Sequence, residues 1–181
     1  MNHTKKYIHL LSMLACAFLM LGSPISAKEQ SFSSPTWGVE DYFAKTPWIG
    51  LIANEITYGP ITISKVKICD DGKLAIVKPG KILNGTLKYK IKAEDLDFFH
   101  LYHLVIGIEG EGGQDCVSHS MGIFDEKGDG SFTLTAPDKI GVYEVRFSLA
   151  QGFTCSGACD KWNSGEQVPS AAATIGIIIV K

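Results

Sequence analysis

Residues 131–149, SFTLTAPDKIGVYEVRFSL, decide the fold that we predict for this chain. Before the turn at 137–141, Phe132 and Leu134 alternate with polar residues. Residues 143–149 alternate in the same way after it, with apolar side chains at every odd position. Alternation with a period of two places one set of side chains on each face of a β-strand. The stretch therefore predicts two strands, each with one buried and one solvated face.

Strand-like patterns continue on both sides of this stretch. Residues 87–92 alternate strictly between apolar residues and lysines, which predicts another half-buried strand. Further apolar or alternating segments, bounded by turn residues, lie at 61–68, 101–108 and 172–180. Seven or eight short strands without a long helix are typical of an antiparallel β-sandwich. We therefore predict an all-β fold.

The residues around the central turn resemble the E–F corner of immunoglobulin-like domains. FTLTAP at 132–137 is followed by GVYEVRF at 141–147. In that family a Gly-x-Tyr step opens strand F, and the tyrosine hydroxyl caps the backbone of the preceding turn. The resemblance is to exported bacterial modules of unknown function, and it implies an immunoglobulin-like β-sandwich. The chain lacks the cysteine that antibody-type domains place two residues after Tyr143.

The first 27 residues have the three parts of a cleavable secretory signal peptide. Lys5 and Lys6 supply positive charge, and residues 7–21 form an apolar run. A Gly-Ser-Pro break then leads to Ala27 at the expected cleavage site. A lipoprotein signal at Cys16 is the alternative, but the apolar run continues beyond it. The predicted organisation is a signal peptide at 1–27, an N-terminal arm at 28–47 and the β-sandwich at 48–181.

The predicted N-terminal arm carries isolated aromatic residues among Ser and Pro. They are Phe32, Trp37, Tyr42 and Phe43. Residues 39–45 fit a helix of one or two turns that ends at Thr46-Pro47. The aromatic side chains could anchor the arm on the domain, and a mobile tail is the alternative.

The mature chain is mildly acidic. Two of the 17 basic residues and none of the 19 acidic residues precede Lys28, which leaves a formal net charge of −4. Binding to a phosphate backbone needs clustered Lys and Arg, so this charge argues against nucleic acid as a partner. No second segment is long and apolar enough to cross a membrane. We expect a secreted or periplasmic protein whose mature chain has no membrane span.

Four cysteines follow the signal peptide: Cys69, Cys116, Cys155 and Cys159. An even number in an exported chain favours two disulfides over a metal cluster, because zinc sites usually show two tight cysteine pairs. Cys155 and Cys159 are close in sequence, so we expect each to pair with a distant partner. Of the three possible connectivities, we predict Cys116–Cys155 with Cys69–Cys159.

Two histidines three residues apart, His100 and His103, form a candidate metal site. On a helix they would share a face, whereas on a strand they would point to opposite faces. Asp115 and His119 are further candidate ligands, and zinc would be the metal. No His-Glu-x-x-His pattern is present. Two histidines with ordinary hydrogen bonds are the alternative interpretation.

Other motifs that would point to chemistry are weak or absent. Residues 125–130, DEKGDG, have the acidic, Gly-rich character of a calcium loop. They lack the regularly spaced oxygen donors and the closing Glu, so a hairpin turn is the simpler interpretation. The chain has no Gly-x-Ser-x-Gly elbow, P-loop or Cys-x-x-Cys pair.

A loop predicted at 153–165 is the candidate binding surface. It contains Asp160, Lys161, Trp162 and Asn163. A tryptophan flanked by polar side chains can stack on a sugar ring or form a protein hot spot. Alternatively, Trp162 folds back and covers one end of the sandwich.

Together these patterns favour a secreted or periplasmic, non-catalytic binding module without a cofactor. Its partner would be a protein or carbohydrate surface outside the cytoplasm. One alternative is a small zinc-dependent enzyme that uses His100 and His103. Another is a structural envelope component that docks through the aromatic residues at 32–43.

We expect the exported protein to begin at Lys28 when it is expressed in a bacterium with a general secretory pathway. Signal peptidase needs a small residue before the cut, so Ala27→Arg should block processing while Ala27→Ser should allow it. Intact-mass measurement of the exported protein gives the answer. An unprocessed wild-type chain, or a lipidated chain beginning at Cys16, would contradict the prediction.

Overall fold

A computed structural model describes residues 53–70, 72–97 and 100–181. Of these residues, 56% lie in strands and 12% in helices. The all-β prediction is therefore confirmed at the level of fold class, with nine strands in two sheets among the described residues. The predicted signal peptide and N-terminal arm lie outside the described residues.

A four-stranded antiparallel sheet forms one layer, with strands numbered along the chain. In sheet order these are β1 (Glu55–Tyr58), β2 (Ile61–Ile68), β4 (Ile82–Ile91) and β7 (Glu126–Thr135). The alternation of β4 behaves as predicted, because Leu83, Leu87 and Ile91 are buried and the lysines between them face outward.

The second sheet has five strands. In sheet order these are β3 (Leu74–Val77), β9 (Thr174–Val180), β8 (Gly141–Gln151), β5 (Tyr102–Ile108) and β6 (Gly112–Ser120). β3 pairs with β9 in parallel, and the other neighbours are antiparallel. Two 3₁₀ helices, Ala93–Asp95 and Ala171–Ala173, lie in the connections.

The two sheets share one apolar core. Ile63 and Leu134 enter it from the four-stranded sheet, and Leu104 and Phe147 enter it from the five-stranded sheet. These side chains come from alternate positions of their strands, so the period-two pattern of residues 131–149 predicted the buried face correctly. At the turn between β7 and β8, the Tyr143 hydroxyl donates a hydrogen bond to the Lys139 carbonyl at 2.9 Å.

Residues 126–130 are the first half of β7, so the turn predicted there is wrong. Glu126 pairs with Ile91, and the two strands stay in register as far as Thr135. The neighbouring carboxylates also have partners. Asp125 accepts a hydrogen bond from the Ala93 N–H at 2.8 Å, and Asp129 pairs with Lys88 at 2.7 Å. Along an extended strand these carboxylate oxygens cannot surround a single ion, so the structure does not support the calcium hypothesis.

Leu134→Ala should lower the free energy of unfolding by about 2–5 kcal/mol, because it opens a cavity in the shared core. Leu134 is fully buried, whereas Ile82 on the adjacent strand is 60% exposed. Ile82→Ala is therefore the matched control and should cost less than about 0.5 kcal/mol. Urea denaturation of both variants measures the difference. Equal losses would contradict the assignment of Leu134 to the core.

Candidate functional site

Residues predicted as a loop form the helix α1, Cys155–Asn163. Thr154 caps its N-terminus, where the side-chain oxygen accepts a hydrogen bond from the Gly157 N–H at 3.1 Å. Ala158, Cys159 and Trp162 are buried, and their spacing of three and four residues places them on one helix face. The cap and this spacing were the sequence signals for the helix.

Helix α1 lies on the face of the five-stranded sheet that points away from the shared core. Leu104 and Ile106 of β5 enter that core, so Val105 between them points to the opposite face. There Val105 and Ala150 pack against the buried side of α1 in a second apolar cluster. We call this the helix cluster; its buried members are Val105, Ala150, Ala158, Cys159 and Trp162.

Two glycines let the helix approach the sheet. A Cβ on Gly113 would lie 2.8 Å from Val105 Cγ1 and 3.3 Å from Cys159 Cα. A Cβ on Gly152 would lie 2.7 Å from the Ala158 backbone nitrogen. Real Cβ atoms need more room than this, so larger residues would push α1 off the sheet. Glycine at these positions therefore sets the helix–sheet distance.

Both ends of α1 are tied to β6. At the start of the helix, Cys155 forms a disulfide with Cys116, with the two Cα atoms 5.7 Å apart. At its end, Asn163 Oδ1 accepts a hydrogen bond from the Gly113 N–H at 2.9 Å. The predicted Cys116–Cys155 bond is thus confirmed.

The second predicted disulfide, Cys69–Cys159, is wrong, because both cysteines are free thiols. Cys69 follows β2 and packs against the core between the sheets. Cys159 belongs to the helix cluster on the opposite face of the five-stranded sheet. A sheet therefore separates the two sulfur atoms, which must come within about 2 Å to bond.

The free Cys159 thiol lies beside the disulfide. Cys159 Sγ is 4.0 Å from Cys155 Sγ, and the sulfur atoms of Cys116, Cys155 and Cys159 all lie within 4.8 Å of one another. Within the described part of the chain, these three residues are the only set of three or more metal-ligating side chains clustered this tightly. Burial raises the pKa of Cys159, and the carboxylates of Asp115 and Asp160 raise it further.

The candidate zinc ligands take three separate positions. His103 and His119 face each other across β5 and β6, with ring centroids 6.1 Å apart. His100 precedes β5, and its ring lies edge-on to Tyr102. Asp115 accepts hydrogen bonds from the backbone N–H groups of Cys116 and Thr133, at 2.7 Å each. The pairing of β5 with β6 places His103 and His119 together, whereas His100 and Asp115 lie apart from them.

His103 is a buried imidazole. Its Nε2 has no hydrogen-bond partner among the described residues. Burial lowers the pKa of His103 below its usual value, and the neighbouring His119 lowers it further. A hydrogen bond with the Gly152 backbone acts in the opposite direction. The neutral ring is therefore the form that this environment stabilises.

Three of the four residues of the predicted binding loop make contacts within the fold. Trp162 is 4% exposed and packs in the helix cluster, so it folds back onto the sheet and its ring cannot stack on a sugar. Lys161 pairs with both carboxylate oxygens of Glu166 at 2.8 Å. Asn163 accepts the hydrogen bond from Gly113 described above. Asp160 is exposed on the helix.

An exposed apolar surface lies instead at one end of the five-stranded sheet. Tyr102 at the start of β5 pairs with Ser120 at the end of β6 and with Gln151 at the end of β8. The connections that follow these two strands expose large side chains. Phe153 is 96% exposed, Phe124 is 77% exposed, and Met121 and Ile123 are exposed as well. We call these four residues the end surface.

A shallow depression of about 270 Å³ borders Phe153 at this end. It is mostly apolar, and its lining residues are His100, Leu101, Gln151, Gly152, Phe153 and Lys161. No sequence pattern marks the end surface, because an isolated Phe or Met in a connection carries no periodic signal.

No protein-family model, curated protein or solved structure matches this chain. Among the described residues, no helix is both long and apolar enough to span a membrane.

The lowered pKa of His103 predicts a pH-dependent contribution to stability. In the unfolded chain histidine titrates near pH 6.5. The stability that depends on neutral His103 is therefore complete above about pH 6.5, and it is lost as the pH falls from there through the lower folded-state pKa. His103→Gln removes this titration, so between pH 7 and pH 5 its unfolding free energy should fall less than that of the wild type.

Urea denaturation at a series of pH values measures this difference. His119→Gln is the matched control, because it removes the exposed imidazole of the pair and leaves His103 buried. It should keep most of the wild-type pH dependence. Identical pH dependence in the wild type and in His103→Gln would contradict the assignment.

Proposed function

We propose that this protein is an exported, non-catalytic binding module that contacts another protein through the end surface. The observation that carries the proposal is the exposure of Phe153, Phe124, Met121 and Ile123 in connections at the same end of the five-stranded sheet. Burying one such side chain is worth about 1.5–3 kcal/mol. Large apolar side chains that a fold leaves in water at one end are typical of interaction sites.

We further propose that the two sheets form an immunoglobulin-like β-sandwich. Support comes from their shared core and from the Tyr143 hydroxyl, which caps the Lys139 carbonyl as the tyrosine corner of that family does. Recognition by the loops at one end is a common use of sandwich domains. The end surface follows that arrangement, because it is formed by connections after β6 and β8.

The composition of the end surface favours a protein partner over a glycan. Sugar recognition combines an aromatic face with several polar side chains that bond the hydroxyl groups. Here the exposed side chains, Phe153, Phe124, Met121 and Ile123, are all apolar, and the indole of Trp162 is buried. Methionine adapts its shape to apolar protein surfaces.

Export and a non-catalytic role have separate support. The Cys116–Cys155 disulfide fits an oxidising compartment outside the cytoplasm, as the N-terminal sequence pattern does. Active sites usually contain groups with perturbed pKa values. The described groups with shifted pKa values are Lys73, His103, Tyr143 and Cys159, and none of them belongs to the end surface or lines its depression.

Photo-cross-linking tests the proposed surface. A photoreactive phenylalanine analogue at position 153 or 124 should form adducts with the same partner protein in the producing cells. Ile140 is the matched control position, because it is 73% exposed in the turn before β8, at the opposite end of that strand. An analogue at position 140 should not capture this partner.

Phe153→Ser and Phe124→Ser should each weaken binding of the captured partner by at least about tenfold, the equivalent of 1.4 kcal/mol. Ile140→Ser should leave the affinity unchanged. Equal capture from all three positions would overturn the end surface as a site. A glycan-array signal that Phe153→Ser abolishes, without protein adducts, would assign the surface to a carbohydrate instead.

A further inference from the structure

Cys159 combines two properties that are uncommon together. It is a free, buried thiol, and its sulfur is 4.0 Å from a sulfur atom of an intact disulfide. Disulfides break and re-form when a thiolate attacks one of their sulfur atoms. All three sulfur atoms lie within 4.8 Å of one another, so Cys159 Sγ lies to the side of the disulfide axis. A side-chain rotation at Cys155 or Cys159 must therefore bring the attacking sulfur in line with the bond that breaks.

We propose that Cys116, Cys155 and Cys159 form an internal thiol–disulfide exchange site. Cys159 loses its proton to solvent, and its thiolate attacks Sγ of Cys155. A Cys155–Cys159 bond forms as the Cys116–Cys155 bond breaks, and Cys116 leaves as a thiolate that takes up a proton. One disulfide replaces another, so the step needs no external oxidant or reductant.

Helix geometry allows the product. Cys155 and Cys159 are four residues apart on α1, so their side chains share a face, with Cβ atoms about 5–6 Å apart. A disulfide needs this separation to close to about 3.5–4.5 Å. Cys155 is the first residue of the helix. The two Cβ atoms must therefore approach by about 1–2 Å within the first turn, where helices fray most easily.

Exchange would change how α1 is held. The bond between Cys116 and Cys155 ties the start of the helix to β6, and its loss leaves that end held by side-chain packing and by the short connection from β8. The Asn163–Gly113 hydrogen bond still holds the other end. Cys116, which is half-buried on β6, becomes a thiol that small reagents can reach.

The groups around Cys159 set the pH dependence of the exchange. Asp115 on β6 and Asp160 on α1 contribute negative charge, while Val105 of β5 and Ala150 of β8 contribute apolar surface. Burial and these charges raise the pKa of the thiol. The attacking thiolate is therefore scarce near neutral pH, and its fraction grows about tenfold with each pH unit below that pKa.

Alkylation of the native, oxidised protein with excess N-ethylmaleimide tests the proposal. Trypsin places Cys116 in the peptide 93–127 and places Cys155 and Cys159 together in the peptide 147–161. Before exchange the two peptides are cross-linked. After exchange, peptide 93–127 separates with one label on Cys116, and peptide 147–161 carries an internal disulfide. Mass spectrometry distinguishes the two products.

In the wild type, labelled Cys116 should accumulate with time, about tenfold faster at pH 8 than at pH 7. Cys159→Ala removes the attacking thiol and should abolish labelling of Cys116. Cys69→Ala is the matched control, because it removes the other free thiol, in the core on the far side of the sheet. N-ethylmaleimide should label Cys116 of this variant at the wild-type rate.

Three results would overturn the proposal. One is a label on Cys159 with the Cys116–Cys155 bond intact, and a second is labelling of Cys155 instead of Cys116. The third is the persistence of the cross-linked peptides in wild-type protein after Cys69 has been fully labelled at pH 8. The wild-type measurements decide the question even if Cys159→Ala unfolds, and circular dichroism detects that case.

Discussion

Strands β5 and β9 of the five-stranded sheet are buried on both faces, and the rest of the structure depends on that constraint. Every residue of β5 is buried, and β9 is buried along all but its first residue. One face packs on the four-stranded sheet through the shared core. The opposite face is apolar at Val105 and Ala150, so it needs a second cover, which α1 supplies. Apolar surfaces of sheets are stable only when another layer removes them from water.

Covering this face with a short helix has chemical consequences. The helix is nine residues long, too short to be stable in isolation, so its stability depends on packing against the sheet and on ties at its ends. The Cys116–Cys155 disulfide and the Asn163–Gly113 hydrogen bond fasten its two ends. The same packing buries the Cys159 thiol beside that disulfide. The proposed exchange site thus arises from the way in which the sheet is covered, whereas the end surface lies at the strand ends, where Phe153 and Phe124 stay in water.

Sequence periodicity correctly predicted the inward-facing side chains of the alternating strands. It did not predict segments that lack this alternation. Residues 131–136 and 142–149 follow the period-two rule, and their inward positions were correct. The solvated face predicted for 142–149 is wrong at Ser148, which is buried. Residues 126–130 contain two glycines and were predicted as a turn, although the partner strand β4 keeps them extended. Helix α1 was missed because the glycine and cysteines of 155–159 resemble a loop, and tertiary packing overrides such weak propensity. The site residues around Trp162 were misassigned for the same reason.

The sequence by itself determined the fold class and the inward-facing residues of the alternating strands. These depend on local chemistry, because a strand that alternates has one dry face. Only the tertiary structure decided that Cys69 and Cys159 lie on opposite faces of a sheet, that Trp162 is buried and that Phe153 is exposed. Each of these depends on which layer covers which face, a relation between residues far apart in the chain that no local pattern encodes.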